Sequence, residues 1–238
     1  MRRRAARRRL GVSRETCRRP EASFHVKHDP AAPLLDLIAG ARRRLVADPA
    51  PAALAEHLAD ARSSLDLLAG ETGPLVDVGS GAGFPGIPIL LDRPDLTGVL
   101  LESRATRCGH LAAAVAACGL ADRVTVVNAR AEAHAAGDGR EAFGIAVARA
   151  LAPPPVAIEL CLPLLRPGGL LVLHAGAVDR AGAEAAAAAL GGAVEALRPV
   201  AGFERRSHLA VRKTGPTPAG FPRRVGLAAR EPIVRGGG

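Results

Sequence analysis

Residues 75–86 of the chain read LVDVGSGAGFPG, and this stretch decides the fold. An apolar strand candidate containing one acid, Asp77, runs into eight residues of which four are glycine. Glycine is favoured where a loop passes close to a ligand, because a Cβ atom would block the approach. Nucleotide ligands bind beyond the carboxyl ends of parallel strands. The stretch therefore predicts a strand followed by a nucleotide-binding loop.

Downstream of this stretch, short apolar runs alternate with helical segments. Strands are predicted at 75–78, 98–102, 123–128, 143–148 and 170–174, with helices at 86–92, 104–118, 153–165 and 179–190. Two further segments, 193–200 and 208–213, are predicted to close the sheet as an antiparallel pair. Such alternation is typical of the α/β class, and it predicts a doubly wound, Rossmann-like parallel sheet.

Upstream, two short helices are predicted at 33–45 and 51–69, with Pro51 at the start of the second and Gly70 just past its end. We expect four segments: a basic extension or start-site artefact over 1–23, a helical segment over 24–73, the α/β domain over 74–213, and a basic tail without regular structure over 214–238.

Two ligand classes compete for the glycine loop. Residues 81–86 formally match the dinucleotide fingerprint of NAD-dependent oxidoreductases. Pro85 and Pro88 oppose that interpretation, because they remove backbone donors where the fingerprint needs a helix. Asp77 would also repel a pyrophosphate. An acid beside a glycine-rich loop suits S-adenosylmethionine, whose ammonium and sulfonium groups are cations.

A second acid, Glu102, ends the second predicted strand 25 residues after Asp77. Doubly wound nucleotide-binding folds hold an acid there to bind ribose hydroxyls. Ser103 would then lie near the adenosine. From the residues alone, the predicted cofactor contacts are Asp77, Gly79, Gly81, Gly83, Glu102 and Ser103.

Residues 77–88, DVGSGAGFPGIP, resemble the signature of the small-subunit ribosomal RNA guanine-N7 methyltransferase G family, also called glucose-inhibited division protein B. The FPGIP part is uncommon in other methyltransferases. Further similarities lie at RAE 130–132, ARA 148–150, PGG 167–169, KTGPTP 213–218 and FPR 221–223, with a weaker one at HLAD 57–60. The resemblance covers roughly residues 54–233.

The resemblance implies a class I S-adenosylmethionine-dependent methyltransferase that modifies guanine N7 in 16S rRNA of the small ribosomal subunit. The family's usual target is guanine 527 in the decoding region. It implies cofactor contacts at Gly79, Phe84, Ala131, Glu132 and Arg149. Arg149 is also a possible substrate contact, and Lys213, Arg223 and Arg224 are possible RNA contacts. A monomer in the cytoplasm is expected.

Guanine N7 carries a lone pair and no proton, so its methylation needs no general base. We therefore expect no catalytic Cys, Ser or His. Three positions depart from the family pattern: Glu56 replaces an arginine, Gly144 an aspartate and Ala175 a lysine. These changes concern RNA contacts more than cofactor binding. The alternatives left open are a methyltransferase acting on another RNA or a small molecule, and a non-catalytic RNA-binding or ribosome-assembly protein.

The charge of the chain is concentrated at its two ends. The net charge is +9, to which residues 1–19 contribute +8 and residues 205–238 contribute +7, leaving −6 between them. Clustered arginine is typical of contact with a phosphate backbone and equally of a solvated tail. No apolar run reaches the roughly 18 residues of a spanning helix, so no membrane partner is expected. The four cysteines show no metal-ligand spacing, so no metal is expected.

Overall fold

The computed structural model describes residues 29–234 of the chain. The predicted basic extension 1–23, the first residues of the helical segment 24–73, and residues 235–238 of the tail lie outside the described residues.

Seven strands form one sheet in this part of the chain. They are β1 (Leu75–Val78), β2 (Gly98–Glu102), β3 (Val124–Asn128), β4 (Phe143–Arg149), β5 (Leu165–Ala175), β6 (Gly192–Pro199) and β7 (Ser207–Lys213). The order across the sheet is β3-β2-β1-β4-β5-β7-β6, with β1 to β5 parallel and β7 antiparallel to both its neighbours. The predicted doubly wound sheet and its closing antiparallel pair are both present.

Eight α-helices accompany the strands within residues 29–234. They are α1 (Ala32–Ala39), α2 (Pro51–Arg62), α3 (Gly86–Asp92), α4 (Ala105–Ala117), α5 (Ala131–Ala135), α6 (Pro154–Cys161), α7 (Arg180–Ala189) and α8 (Leu227–Arg230). The prediction that the second helix extends to residue 69 is wrong. The hydroxyls of Ser63 and Ser64 donate to the carbonyls of Asp60 and Ala61, a local bond that competes with helix continuation. The first helix likewise ends at Ala39 rather than at residue 45.

Alternate residues of the strands divide the core into two layers. On β5, Leu170 and Val172 pack on the side of α1 to α4, whereas Leu171 and Leu173 pack on the side of α5 to α8. This follows from the two-residue side-chain period of a strand. Burying each such side chain contributes about 1.5–3 kcal/mol, so both faces of the sheet hold helices against it.

The tail, here residues 214–234, has little regular structure, yet it packs against the domain. It contains α8, and Phe221, Ala228 and Ile233 pack against the second core layer. No helix within the described part of the chain is long and apolar enough to cross a membrane.

The topology gathers the ends of β1 to β5 at one edge of the sheet. The strand order reverses between β1 and β4, and ligands of doubly wound folds bind at this switch point. The glycine loop follows β1 and Arg149 ends β4, so the chain places both at that edge.

Candidate functional site

The glycine loop turns sharply after β1. The amides of Gly79 and Ser80 both donate to the carbonyl of Leu101 on the neighbouring strand. Gly81 has φ +58°, and a Cβ there would lie 2.9 Å from the guanidinium of Arg107. The positive φ of Gly81 is the conformation that favours glycine at this point of the loop.

Asp77 lies beneath this loop and not on its surface. The side chain is 0% exposed, and its Oδ2 accepts a hydrogen bond from the Gly86 amide at 3.1 Å. A Cβ at Gly86 would lie 2.6 Å from that oxygen, so this glycine is required by Asp77 itself. Burial raises the pKa of Asp77 to about 7. The expectation that Asp77 contacts the cofactor is corrected: it supports the loop from below.

Glu102 supports the same loop from the side. Its Oε2 accepts from the Gly81 amide at 3.1 Å, and its Oε1 accepts from the Arg104 amide at 2.9 Å. Gly83 is packed close to Ile87 and Leu34 rather than toward open space. Of these two predicted cofactor contacts, Glu102 thus lies behind the loop, and Gly83 is the part of the loop that packs against the interior.

A cleft of about 590 Å³ opens beside the ends of β1 to β4. We call it the apolar cleft; its walls are Val78, Gly79, Leu101, Ser103, Ala129, Arg130, Ala131, Glu132, Leu151, Ala152, Val156, Leu160, Gly226, Ala228 and Ala229. Glu132 is 6% exposed. Its Oε1 accepts from the Gly226 amide at 2.8 Å, while its Oε2 has no partner among the described residues. A buried carboxylate oxygen is thus available to a ligand with a donor group.

A larger, more open cleft of about 1190 Å³ lies on the other side of Gly79. We call it the arginine cleft; its walls include His57, Asp60, Gly79, Gly81, Phe84, Arg107, Arg149, His174, Ala175, Arg205 and Arg206. The structure thus brings seven of the ten predicted cofactor contacts to two adjoining clefts: Gly79, Gly81, Phe84, Ser103, Ala131, Glu132 and Arg149. Their individual roles stay predictions.

A buried acid organises the arginine cleft. Asp60 on α2 is 2% exposed and forms ion pairs with Arg149 at 3.0 Å and with Arg206 at 3.1 Å. Burial alone would raise the pKa of Asp60, but hydrogen bonding and charge from His174 and Arg149 outweigh it and hold that pKa well below its usual range. Asp60 therefore stays a carboxylate and joins α2 to the ends of β4 and β7.

Arg149 is held on two sides. Besides its bond to Asp60, its guanidinium carbon lies 5.0 Å from the centroid of the Phe84 ring, within the range of a cation–π contact. The next residue, Ala150, has φ +52°, a conformation that L residues adopt at a cost and that is found at functional sites. Arg149 is therefore fixed in orientation at the edge of the sheet.

Two histidines lie behind Asp60. The rings of His174 and His208 are 4.6 Å apart, and they contact the hydroxyls of Ser64 and Ser63 at 3.1 and 3.2 Å. Burial lowers the pKa of His208 to about 4. The two rings and Asp60 lie close enough to hold a metal ion, but two guanidinium groups already neutralise the Asp60 carboxylate.

Asp60 and Arg206 are functional-site residues that the sequence motifs do not identify. One signal was present, because His57 and Asp60 are three residues apart and so share a face of a predicted helix. The other partners come from β4, β5 and the turn before β7, which only the tertiary fold brings together.

One of the three predicted RNA contacts, Lys213, is corrected by burial, and a second, Arg223, is engaged in an ion pair. Lys213 is 0% exposed, and its Nζ donates to the Leu190 carbonyl and to Thr217 Oγ1. Arg223 forms a bidentate pair with Glu159 at 2.5 and 2.6 Å. Lys213 therefore serves internal contacts alone, whereas Arg223, whose side chain is 21% exposed, and Arg224, which is exposed, stay predicted RNA contacts.

The departures from the family pattern lie in different places. Gly144 is at the amino end of β4, away from the clefts, and a Cβ there would collide with the Thr72 carbonyl oxygen. No aspartate fits this backbone, so the change is a matter of local packing. Ala175 lines the arginine cleft, and Glu56 is exposed on α2.

Comparisons with known proteins find relatives along most of the chain. Residues 34–205 match the family model described as GidB, rRNA small subunit methyltransferase G. The ribosomal RNA small subunit methyltransferase G of Roseiflexus castenholzii is 42% identical over 166 residues, covering 67% of this chain and 70% of the relative. The protein of that name from Rubrobacter xylanophilus is 41% identical over 198 residues, covering 78% of this chain and 74% of the relative.

Solved structures share the fold at low identity. Mitomycin 7-O-methyltransferase MmcR has a TM-score of 0.57 at 16% identity, covering 79% of this chain and 59% of that one. The S-adenosylmethionine-dependent methyltransferase SibL has a TM-score of 0.56 at 13% identity, covering 82% and 71%. These likenesses confirm the predicted class I methyltransferase fold.

Proposed function

Because the chain belongs to the rRNA small subunit methyltransferase G family and is an S-adenosylmethionine-dependent rRNA methyltransferase, we propose that it methylates N7 of a guanine in 16S rRNA, at the family's usual position 527. The observation that carries the proposal is the pair of clefts that adjoin at Gly79. One is small and mostly apolar, whereas the other is open and cationic. Membership of this family also overturns the oxidoreductase interpretation of residues 81–86.

The residues of the apolar cleft fit the adenosine of S-adenosylmethionine. The unpartnered Oε2 of Glu132 can accept from the adenine amino group, and the surrounding alanines, valines and leucines suit a flat apolar ring. We assign Gly79, Ser103, Ala131 and Glu132 to this part, and Gly81, Phe84 and Arg149 to the methionine end. When bound, the cofactor supplies a methyl group activated by a positively charged sulfur.

The target guanine belongs in the arginine cleft. Its N7 needs no deprotonation, so the protein contributes alignment rather than acid–base catalysis. Guanine O6 lies beside N7 and is an acceptor, so Arg149 can donate to O6 and leave the N7 lone pair free. Phe84 is 4% exposed and lies beneath the Arg149 guanidinium, so it serves the guanine by holding Arg149 rather than by stacking on the base.

Asp60 acts on this reaction through Arg149. Its carboxylate fixes the guanidinium at 3.0 Å, and the cation–π contact with Phe84 fixes the opposite side. We regard Asp60 as a positioning residue, because its side chain is almost wholly buried and bonded to other protein groups.

The cations of this region suit a phosphate backbone. Arg107, which is half-buried, and Arg205, which is exposed, line the cleft, and Arg224 is exposed on the tail. Phosphate contacts of this kind release counterions, so RNA binding should weaken steeply with salt. We further propose that the protein acts as a monomer in the cytoplasm on the small subunit or its RNA.

The test is methyl transfer from tritiated S-adenosylmethionine to small subunits isolated from cells that lack this gene. Borohydride–aniline cleavage of the product RNA reports N7-methylguanine. Label at one cleavable guanine, absent with subunits from cells that keep the gene, is the expected result. Label that resists cleavage would move the reaction to another atom. No label, with cofactor binding still seen by calorimetry, would point to another RNA or a small molecule.

A further inference from the structure

The tail contributes a wall of the apolar cleft. Gly226, Ala228 and Ala229 line this cleft together with residues that follow β2, β3 and β4. Ala228 is buried against the second core layer, so this part of the tail is packed into the domain. The basic composition of the tail, which suggests an RNA-binding arm, gives no hint of this position.

Arg223 holds the wall in place. Its guanidinium pairs in bidentate fashion with Glu159 on α6, whose side chain is 3% exposed, and also donates to the Glu231 carbonyl at 2.8 Å. A bidentate pair of this kind fixes both distance and orientation. Arg223 therefore joins α6 to the chain on both sides of α8.

The tail is also fixed before it reaches the cleft. The Thr217 amide donates to Glu141 Oε1 at 2.5 Å, and Arg140 donates to the Thr217 and Phe221 carbonyls at 3.0 and 2.6 Å. Lys213 donates to Thr217 Oγ1 from inside the domain. The backbone thus arrives at the cleft along a defined path.

Glu132 connects the tail with the interior of the cleft. One carboxylate oxygen accepts from the Gly226 amide, and the other is buried in the cleft wall without a partner among the described residues. The same carboxylate can therefore hold the tail and receive a ligand donor. A ligand bound to Oε2 would stabilise the position from which Oε1 holds Gly226.

We propose, on the basis of the function given above, that residues 223–229 are part of the S-adenosylmethionine site and close the pocket of its adenosine, with Arg223 as the positioning residue. Docking of the tail and binding of the cofactor are then linked, so each favours the other by the same factor. Arg223 and Arg224, adjacent in sequence, have different functions: the first serves the cofactor and the second faces solvent.

The full-length chain provides a matched pair of variants. Calorimetry with S-adenosylmethionine should show affinity reduced roughly tenfold in Arg223→Ala, the order of a typical coupling between linked sites, and unchanged in Arg224→Ala. Methyl transfer should show a raised KM for the cofactor, with kcat restored at saturating cofactor, in Arg223→Ala. Arg223→Lys should recover part of the affinity. Equal affinities of Arg223→Ala and the parent chain would overturn the proposal.

A second pair does not disturb the buried Glu159. Ala229 is exposed at the rim of the cleft, and Val225 is 53% exposed and is not among the residues that line it. Ala229→Trp should weaken cofactor binding, because the indole would extend into or across the cleft, whereas Val225→Trp should leave it unchanged. If both variants, or neither of them, bound S-adenosylmethionine more weakly, the proposal that the tail forms a wall of the apolar cleft would be contradicted.

Trypsin supplies an independent readout. Cleavage after Arg224 and Arg230 should slow when S-adenosylmethionine is added to the parent chain, and slow less in Arg223→Ala. If Arg223→Ala loses RNA affinity and keeps cofactor affinity, the tail is an RNA arm and the inference is wrong. A parent chain that binds no S-adenosylmethionine would instead overturn the proposed function, and the inference with it.

Discussion

The apolar cleft and the arginine cleft adjoin at Gly79 and open at the same edge of the sheet, yet they are built in opposite ways. The apolar cleft is lined mainly by small and branched side chains, and Oε2 of Glu132 in its wall has no partner among the described residues. The arginine cleft carries four arginines, two of them paired with one buried acid.

The difference shows how one sheet edge can serve two unlike ligands. A small cofactor can be held by shape and a few polar groups, which the ends of β1 to β4 provide. A polyanion needs cations, and cations left without a partner would repel one another in a confined space. Asp60 reduces that repulsion and leaves the guanidinium groups correctly oriented.

The largest loss of methyl-transfer activity should come from Arg149→Ala. The change removes the guanidinium that we propose contacts guanine O6 and leaves the Asp60 carboxylate with less compensation, so methyl transfer should fall at least about 100-fold. Arg149→Lys should recover little, because lysine keeps the charge without the planar fork. Single-turnover transfer from tritiated S-adenosylmethionine measures both. A loss confined to cofactor affinity would show that Arg149 serves the methionine end of the cofactor and not the guanine.

Asp60→Asn should have the next largest effect. The amide is similar in shape but cannot neutralise two guanidinium groups, so kcat/KM should fall on the order of tenfold while cofactor affinity is retained. Stability should fall by about 3 kcal/mol, the cost of removing one partner from a buried pair. Asp66→Asn is a matched control, because Asp66 is an exposed acid whose charged partner, Arg198, lies 3.7 Å away. Equal losses of kcat/KM in the two variants would contradict the positioning role of Asp60.

His208→Gln should change how stability depends on pH. The folded pKa of His208, about 4, lies below its ordinary 6.5, so the folded chain binds fewer protons between these values. The contribution of His208 to the free energy of unfolding is complete above pH 6.5, and it should fall by about 2 kcal/mol between pH 7 and pH 5. Urea unfolding at both pH values measures the difference.

In His208→Gln, the part of the fall in unfolding free energy between pH 7 and pH 5 that comes from His208 should be absent. Asp77, whose pKa is raised to about 7, acts in the opposite direction and contributes less as pH rises from 3.8 toward 7. It is present in both chains, so its contribution cancels in the comparison. His174, Asp60 and Asp66 act on the His208 ring and are likewise unchanged. Parallel pH profiles for the two chains would contradict the prediction.

The smallest effect on the reaction should come from Lys213→Met. The change leaves the Leu190 carbonyl and Thr217 Oγ1 without their buried donor, so stability should fall by about 1–3 kcal/mol. RNA affinity should be unchanged, as measured by filter binding. Arg224→Ala is the contrasting variant: it should keep stability and lower the salt slope of RNA binding by about one phosphate contact. Reduced RNA affinity in a folded Lys213→Met protein would restore the original prediction.

Much of the fold could be predicted because its signals are local. The start and end of β1 and β2 follow from short apolar runs bounded by glycine, proline and acid, and α3 begins at Gly86 as expected. The position of residues 223–229 beside the apolar cleft could not be predicted, because the contacts that fix it are long-range. That position depends on Glu159 and Glu132, which lie 64 and 94 residues away from their tail partners.

The sequence predicted which residues lie near the site more successfully than it predicted what each of them does there. Asp77 and Glu102 were identified as important acids, but the structure turns both toward backbone amides of the loop. A sequence shows that an acid follows a strand, but not which way its carboxylate points. Lys213 shows the same limit, because a lysine in a basic segment is usually solvated and this one is wholly buried.

The contact between Asp77 and Gly86 couples two positions that are nine residues apart, so that the residue at one restricts what the other can be. Any side chain at 86 would displace the acid, and loss of the acid would open space that a side chain at 86 could fill. Lineages that change one of the two positions should therefore change the other. An alignment of related sequences would show this as a pair that varies together or not at all.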